Sequence, residues 1–373
     1  MNFPSIDLLC GRREAFDFSD SNESLFIDAM VENYRFQCSV QPFIRHLAHA
    51  HGITPDAIKG MEDVTGIPPL FVGTMKLDSF CSVGADEIEL VLTSSGTAGQ
   101  KTQAFFDKGS LLRLRNLAGS CFDALSYRSS IPAHCFLMSY DISRATNVGT
   151  SWSDEEIVSL APALSRHWVI EWDDNTGGFS FNAGKWARKF VDLAAEAPVR
   201  MLGFPAFMYR LIEEVIRIEP HLLVKPDSFI IAGGGWKNHL GTPMTHKTFA
   251  RFVEDSVGLP FENVRDTFGM AEHGVPYCSC KAGYHHVPIY GRLVARDPLN
   301  MQDIGCGREG MLQLLTPYNT AQPNLSVLSS DLVVLGKDCP CGMPGVYIES
   351  VRRGGIKKHR GCAIAAQEIL GKA

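Results

Sequence analysis

The sequence predicts an α/β fold, a sheet covered by helices on both faces, with a smaller β-rich subdomain packed on it near the end of the chain. Three observations predict it. Short apolar runs alternate with helical stretches between residues 134 and 255, the pattern of strands joined by helical crossovers. An apolar strand, ELVLT, runs straight into a loop of hydroxyls, glycines and a lysine that ends at Gln103. Beyond about Tyr277 the pattern changes to short strands separated by Gly, Pro and Asn.

In chain order, Leu25, Phe26, Met30, Tyr34, Phe36, Phe43 and Leu47 recur at mostly helical intervals, which predicts one or two helices in an N-terminal segment, residues 1–80. GIPPLFVGTMK, residues 66–76, reads as a proline-bearing connector. The core, residues 81–276, then holds ELVLT, a helix over 110–125, strands at 134–140, 167–172, 200–204 and 228–232, and helices near 185–195, 206–218 and 245–255. In the β-rich subdomain, residues 277–350, strands fall at 311–315 and 332–335. The last segment, residues 351–373, joins a Gly354-Gly355 hinge and a basic run to a short helix-forming tail.

At 373 residues, 45% hydrophobic and 20% charged, the chain has the composition of an ordinary soluble globular protein and can bury a large core. A net charge of −6 gives no electrostatic reason to expect a nucleic-acid partner. No apolar run approaches the roughly 20 residues that span a bilayer, and the first residues lack the charge-then-apolar order of a signal peptide. A cytoplasmic location without a membrane span is expected.

The loop after ELVLT has the chemistry of a phosphate cradle. Gly96 and Gly99 let backbone N–H groups turn toward an anion, Thr93, Ser94, Ser95 and Thr97 add hydroxyls, and Lys101 adds positive charge. The G-x-x-x-x-G-K-[ST] nucleotide loop is excluded, because only two residues separate the glycines and Gln100 precedes Lys101. A second run, Gly233, Gly234 and Gly235 before Trp236, follows a strand and leaves room for a flat nucleobase; its alternative is a tight turn capped by a structural Trp.

Eleven cysteines, an odd number, do not look like the framework of a secreted disulfide domain. Two Cys-x-Cys segments, Cys278/Cys280 and Cys339/Cys341, invite a structural zinc site, with His285 and His286 as substitute ligands. The cysteine spacing is tighter than zinc sites usually show. One Cys from each pair with a His, or four reduced cysteines at strand ends, are therefore the alternatives.

The glycine loop resembles the ATP-phosphate loop of the adenylate-forming enzymes, the acyl and aryl CoA ligase superfamily. DTFGMAEHG, residues 266–274, is similar to their Y-G-x-T-E segment, which implies that Glu272 binds the Mg²⁺ of the ATP phosphates, although Ala271 stands where Thr is usual. SSDLV, residues 329–333, resembles the segment whose aspartate, here Asp331, holds the ribose hydroxyls; Arg353 is taken as a further nucleotide contact. In their order, TSSGTAGQKTQ, GGGWK, HVPIYGRLVARDP and RGCAIAAQE resemble the acyl-protein synthetase family, the fatty-acid-activating component of the bacterial fatty acid reductase complex. The resemblance runs from about residue 60 to the end, with the Cys-rich segments outside it. It implies the large domain of the adenylate-forming fold without a full mobile C-terminal domain. The implied reaction has two halves: ATP and a carboxylic acid, expected to be a fatty acid, give acyl-AMP, and Cys362 then accepts the acyl group as a thioester for an acyl reductase or acyl carrier protein.

The residues suit this chemistry. Charge builds on the phosphates during adenylation, and a backbone cradle, Lys101 and a Mg²⁺ near Glu272 all act there. Cys362 follows Lys357, Lys358, His359 and Arg360, and positive charge favours the thiolate. Its alternative is a small tail residue packed with Ala363, Ile364 and Ala365. Two other readings stay open: an acyl or aryl CoA ligase of the phenylacetate-activating type, and a non-catalytic module that keeps the nucleotide fold as scaffold.

Overall fold

The computed structural model describes residues 2–78, 80–93, 102–140, 156–174, 177–235 and 244–354. They divide into two units, one built from residues 2–125, 269–277 and 284–354, the other from 126–268 and 278–283. Among the described residues, no helix is long and apolar enough to cross a membrane.

The first unit opens with α1 (Pro4–Cys10), α2 (Asp20–Val40) and α3 (Pro42–His51). The helical period of residues 23–51 is split because Gln41 adopts an extended conformation (φ −111°, ψ 102°) ahead of Pro42, which lacks the N–H needed to continue the ladder. After α4 (Met61–Thr65) the connector holds a two-residue strand, β1 (Leu70–Phe71). β2 (Ile88–Thr93) and β3 (Gln103–Asp107) pair antiparallel with Thr93 opposite Gln103, so the glycine loop is entered and left at adjacent positions. β3 escapes the sequence reading: QAFFD has no period of its own, and pairing with β2 is what makes it a strand. Asp107 then caps α5 (Lys108–Ala124) by accepting from the Ser110 amide.

The second unit is the α/β part. Its elements are β4 (Ala133–Tyr140), β5 (Ala163–Asp173), β6 (Gly178–Phe181), α6 (Ala183–Glu196), β7 (Val199–Gly203), α7 (Pro205–Ile218), β8 (Phe229–Gly233), α8 (His246–Val257) and β9 (Val264–Phe268). With β10 (Tyr277–Cys278) the strands order as β10-β9-β8-β7-β4-β5-β6. β4, β5, β7, β8 and β9 run parallel, and β6 returns antiparallel. The expected strands and helices lie where the apolar runs put them, with ends moved by a few residues. β4 is buried along its whole length, as a strand covered on both faces must be.

The rest of the first unit is antiparallel: β11 (His285–His286), β12 (Arg292–Arg296), β13 (Glu309–Leu315), β14 (Ser326–Gly336) and β15 (Tyr347–Arg353), ordered β11-β15-β14-β13-β12 with β1 joining β14 in parallel. Between β13 and β14, the irregular segment from Thr316 to Leu325 is buried throughout. A buried loop must find partners for its backbone, and here side chains supply them. Asn33 Nδ2 donates to the carbonyls of Pro317 (2.7 Å) and Asn319 (2.9 Å), Gln37 to Thr320 (3.1 Å) and Arg113 to Tyr318 (3.2 Å). In return, Asn319 and Gln322 donate to the β3 carbonyls of Phe105 and Gln103 (3.1 and 3.0 Å), and Thr320 donates to Asp107 (2.9 Å). Replacing Asn33→Leu leaves two buried carbonyls without their donor, each worth about 1–3 kcal/mol. The expected result is a clear fall in the urea midpoint, measured by circular dichroism.

Candidate active site and metal centre

Glu272 lies in a turn closed by the His273 and Gly274 amides, which donate to the Met270 carbonyl at 3.0 and 2.8 Å. It is only 5% exposed, and its own carbonyl accepts from Asn324 Nδ2 at 2.9 Å. The turn needs glycine at Gly274, where φ is +86° and a Cβ would fall 1.8 Å from the Tyr318 hydroxyl. Under Glu272, His273 is fully buried with Nε2 2.7 Å from the Tyr277 hydroxyl and the two rings within 6° of parallel. Burial lowers the His273 pKa to about 3, so the imidazole is neutral at physiological pH. His273 Nδ1, the Tyr318 hydroxyl and Asn324 Oδ1 are buried and make no hydrogen bond among the described residues.

Asp331 lies inside β14, not at the start of a strand. Its amide donates to Ser329 Oγ (3.0 Å), and its carboxylate accepts from the same hydroxyl (2.8 Å), which fixes the side chain. Arg353 is its register partner on β15. The sheet thus sets two candidate nucleotide residues, remote in sequence, side by side. The neighbouring Arg352 is held by Glu309 through two bonds of 2.7 and 2.5 Å, while Arg353 is exposed.

In the second unit, Gly233 ends β8, and Gly234 and Gly235 have φ of +78° and +73°. A Cβ on Gly234 would lie 2.9 Å from the Phe204 ring, so the backbone passes an aromatic face at a distance a side chain would prevent. Thr93 closes β2. Ser94, Ser95, Gly96, Thr97, Gly99, Lys101, Trp236 and Cys362 lie outside the described residues.

Of the cysteine pairs, Cys339 and Cys341 flank a tight turn in which the Gly342 amide donates to the Cys339 carbonyl at 2.9 Å. His286, fully buried on β11, brings Nε2 to 3.3 Å from Cys341 Sγ, and the ligand atoms of His286, Cys339 and Cys341 all lie within 4.8 Å of one another. Two sulfurs and an imidazole nitrogen at this spacing fit a zinc ion by donor type. Of the two candidate histidines, His286 joins the group and His285 does not. Cys278 also stands outside it. The pKa of the Tyr127 hydroxyl is raised first by burial and then by Cys278. Cys280 is buried in the same short segment of the second unit.

Asn324 and Tyr318 were invisible in the sequence as site residues. The one available signal was the polar string TPYNTAQPN between two apolar strands, which resembles a surface loop unless its burial is known. The buried His273 makes a testable contribution to stability. An unfolded histidine titrates near 6.5 and His273 near 3, so between these values the unfolded chain binds more protons. The contribution is complete above pH 6.5 and is lost as pH falls toward 3. In His273→Gln, urea unfolding measured from pH 7 to 4 should show a weaker acid-side loss, its slope reduced by up to about one proton.

A family model described as "Acyl-protein synthetase, LuxE" matches residues 4–371. Two relatives, each a long-chain-fatty-acid–luciferin-component ligase, one from Aliivibrio fischeri and one from Vibrio harveyi, are 24% identical over 84% and 83% of this chain and 81% and 80% of their own length. Solved structures of 2-hydroxyisobutyryl-CoA ligase are similar in fold. The one in the thioesterification state has a TM-score of 0.70 at 17% identity, covering 92% of this chain and 70% of that one. The open form has a TM-score of 0.67 at 16% identity, covering 89% and 69%. The fold is that of the adenylate-forming ligases, and with a family match over nearly its whole length, the chain belongs to the LuxE family of acyl-protein synthetases, AMP-forming ligases that activate a fatty acid as acyl-AMP.

Proposed function

We propose that this chain activates a long-chain fatty acid with ATP and Mg²⁺, takes the acyl group onto Cys362 as a thioester, and delivers it to a partner acyl reductase. The observation that carries the reading is the extent of the family match, which runs to residue 371 and so includes the tail segment RGCAIAAQ around Cys362. The relatives are named as ligases joining a long-chain fatty acid to a luciferin component, which supports a protein acceptor.

In the first half-reaction the carboxylate oxygen attacks the α-phosphorus of ATP, and pyrophosphate leaves. The loop from Thr93 to Lys101 holds the phosphates through its backbone and hydroxyls, with Lys101 countering their charge. Glu272 is the ligand for Mg²⁺, which neutralises phosphate oxygens when bound. The Gly233–Gly235 run takes the adenine, and Asp331 with Arg353 takes the ribose side of the nucleotide. In the second half-reaction the Cys362 thiolate attacks the acyl carbon, the thioester forms, and AMP departs.

Lys101→Ala and Glu272→Ala should each slow ATP–pyrophosphate exchange by on the order of a hundredfold, since both act on phosphate charge in the transition state. Cys362→Ser should leave that exchange intact and abolish the hydroxylamine-sensitive label that a radioactive fatty acid leaves on the protein. Full labelling of Cys362→Ser, or acyl-CoA made by the wild type with no acyl-enzyme, would move the reading to an acyl-CoA ligase.

A structural zinc is the second part of the reading, held by His286, Cys339 and Cys341. Thiolate ligands of this kind are typical of structural zinc sites. Protein purified without chelator should contain about one zinc per chain, and Cys339→Ala should lose both the metal and thermal stability. Folded, active protein free of zinc would end the assignment.

A further inference from the structure

In the second unit, one face of the sheet carries a serine between two histidines. His134 and Ser165 are register partners on the parallel strands β4 and β5, and His167 follows Ser165 by two residues, so all three side chains share one face. His134 Nδ1 lies 2.7 Å from Ser165 Oγ, and Ser165 Oγ lies 2.7 Å from His167 Nε2. Glu196, the last residue of α6, brings a carboxylate oxygen to 4.0 Å from His134 Nε2.

Two proton arrangements fit these contacts, and the neighbouring carboxylate selects between them. A hydroxyl has one proton, so Ser165 donates to one imidazole and accepts from the other. The carboxylate of Glu196 favours the His134 tautomer with its proton on Nε2, since a lone pair there would face negative charge. Nδ1 of His134 is then the acceptor, and the Ser165 proton points at it. His167 completes the chain by donating from Nε2 to Ser165 Oγ. Its pKa is lowered to about 4, first by burial and then by Lys189 and His134, so it stays a neutral donor. The order is carboxylate, imidazole base, hydroxyl, which is how a serine nucleophile is activated on unrelated folds. His134 is 8% exposed, whereas Ser165 and His167 are half-buried, so the base is the most sheltered of the three.

We propose that Ser165 is a base-activated nucleophile at a second site, one that reacts with activated carboxylic esters and thioesters. Its oxygen bonds to the acyl carbon while the hydroxyl proton passes to His134 Nδ1. The bond from acyl carbon to leaving group breaks, and His134 returns the proton to the departing alkoxide or thiolate. Water then attacks the acyl-serine, with His134 taking and returning a proton, and releases the carboxylic acid. The site does not depend on the adenylation residues.

The test is covalent labelling of the full chain with an alkyl fluorophosphonate, which phosphonylates base-activated serines with loss of fluoride. Mass spectrometry of the wild type should find the adduct on the peptide containing Ser165, and Ser165→Ala should lose it while keeping ATP–pyrophosphate exchange. Labelling of His134→Gln should be slower by about a hundredfold or more, the usual scale of a lost general base. Glu196→Gln should be slowed to a smaller extent. The adduct map on the wild type decides the matter even if a variant folds poorly: no adduct, or one on another residue, overturns the proposal. So does labelling of His134→Gln at the wild-type rate.

Discussion

The first unit depends on the burial of the segment from Thr316 to Leu325. An irregular strand of backbone inside a protein carries donors and acceptors that no regular element satisfies, and each left unpaired costs about as much as a lost buried hydrogen bond. The chain meets this with amide side chains from distant parts of the sequence: Asn33 and Gln37 on α2, and Asn319 and Gln322 on the segment itself. Those bonds tie α2, the β2/β3 pair and the start of α5 to one loop. Because Asn324 on that loop also donates to the Glu272 carbonyl, the candidate metal ligand inherits its position from the same network. The polar contacts of this unit therefore fix geometry more than they add stability, since each replaces a bond to water.

The arrangement around Glu272 shows how a charged group can be presented from a dry interior. His273 and Tyr277 beneath it are neutral and bonded to each other, so neither adds a buried charge. Gly274 lets the chain turn where Tyr318 leaves no space for a side chain. Asp331 and Arg353 follow a different logic, since they are joined by sheet register and lie nearer to solvent.

Much of this was legible in the residues. The alternation of apolar runs and helical stretches put the parallel sheet and its helices within a few residues of their positions, because each element there buries a continuous apolar face that its own sequence must encode. β3 was not legible, since a five-residue strand after a glycine loop depends on its partner. The choice of His286 over its neighbour His285 was not legible either: adjacent residues on a strand point to opposite sides, and only the fold says which side meets Cys339 and Cys341.

What the sequence by itself determined is the family, carried by short motifs in a set order, together with the candidates for its chemistry: a loop of glycines, hydroxyls and a lysine, an acidic residue after a glycine, and paired cysteines. What only the tertiary structure decided is which of these groups meet. Asp331 and Arg353 become neighbours through the β14/β15 register, and His134, Ser165 and His167 share one face through the β4/β5 register. TPYNTAQPN lies in the core instead of at the surface. Periodicity and composition are local and can be read from one stretch of chain. Register, burial of a polar loop and convergence of remote side chains depend on contacts between stretches that no single one specifies.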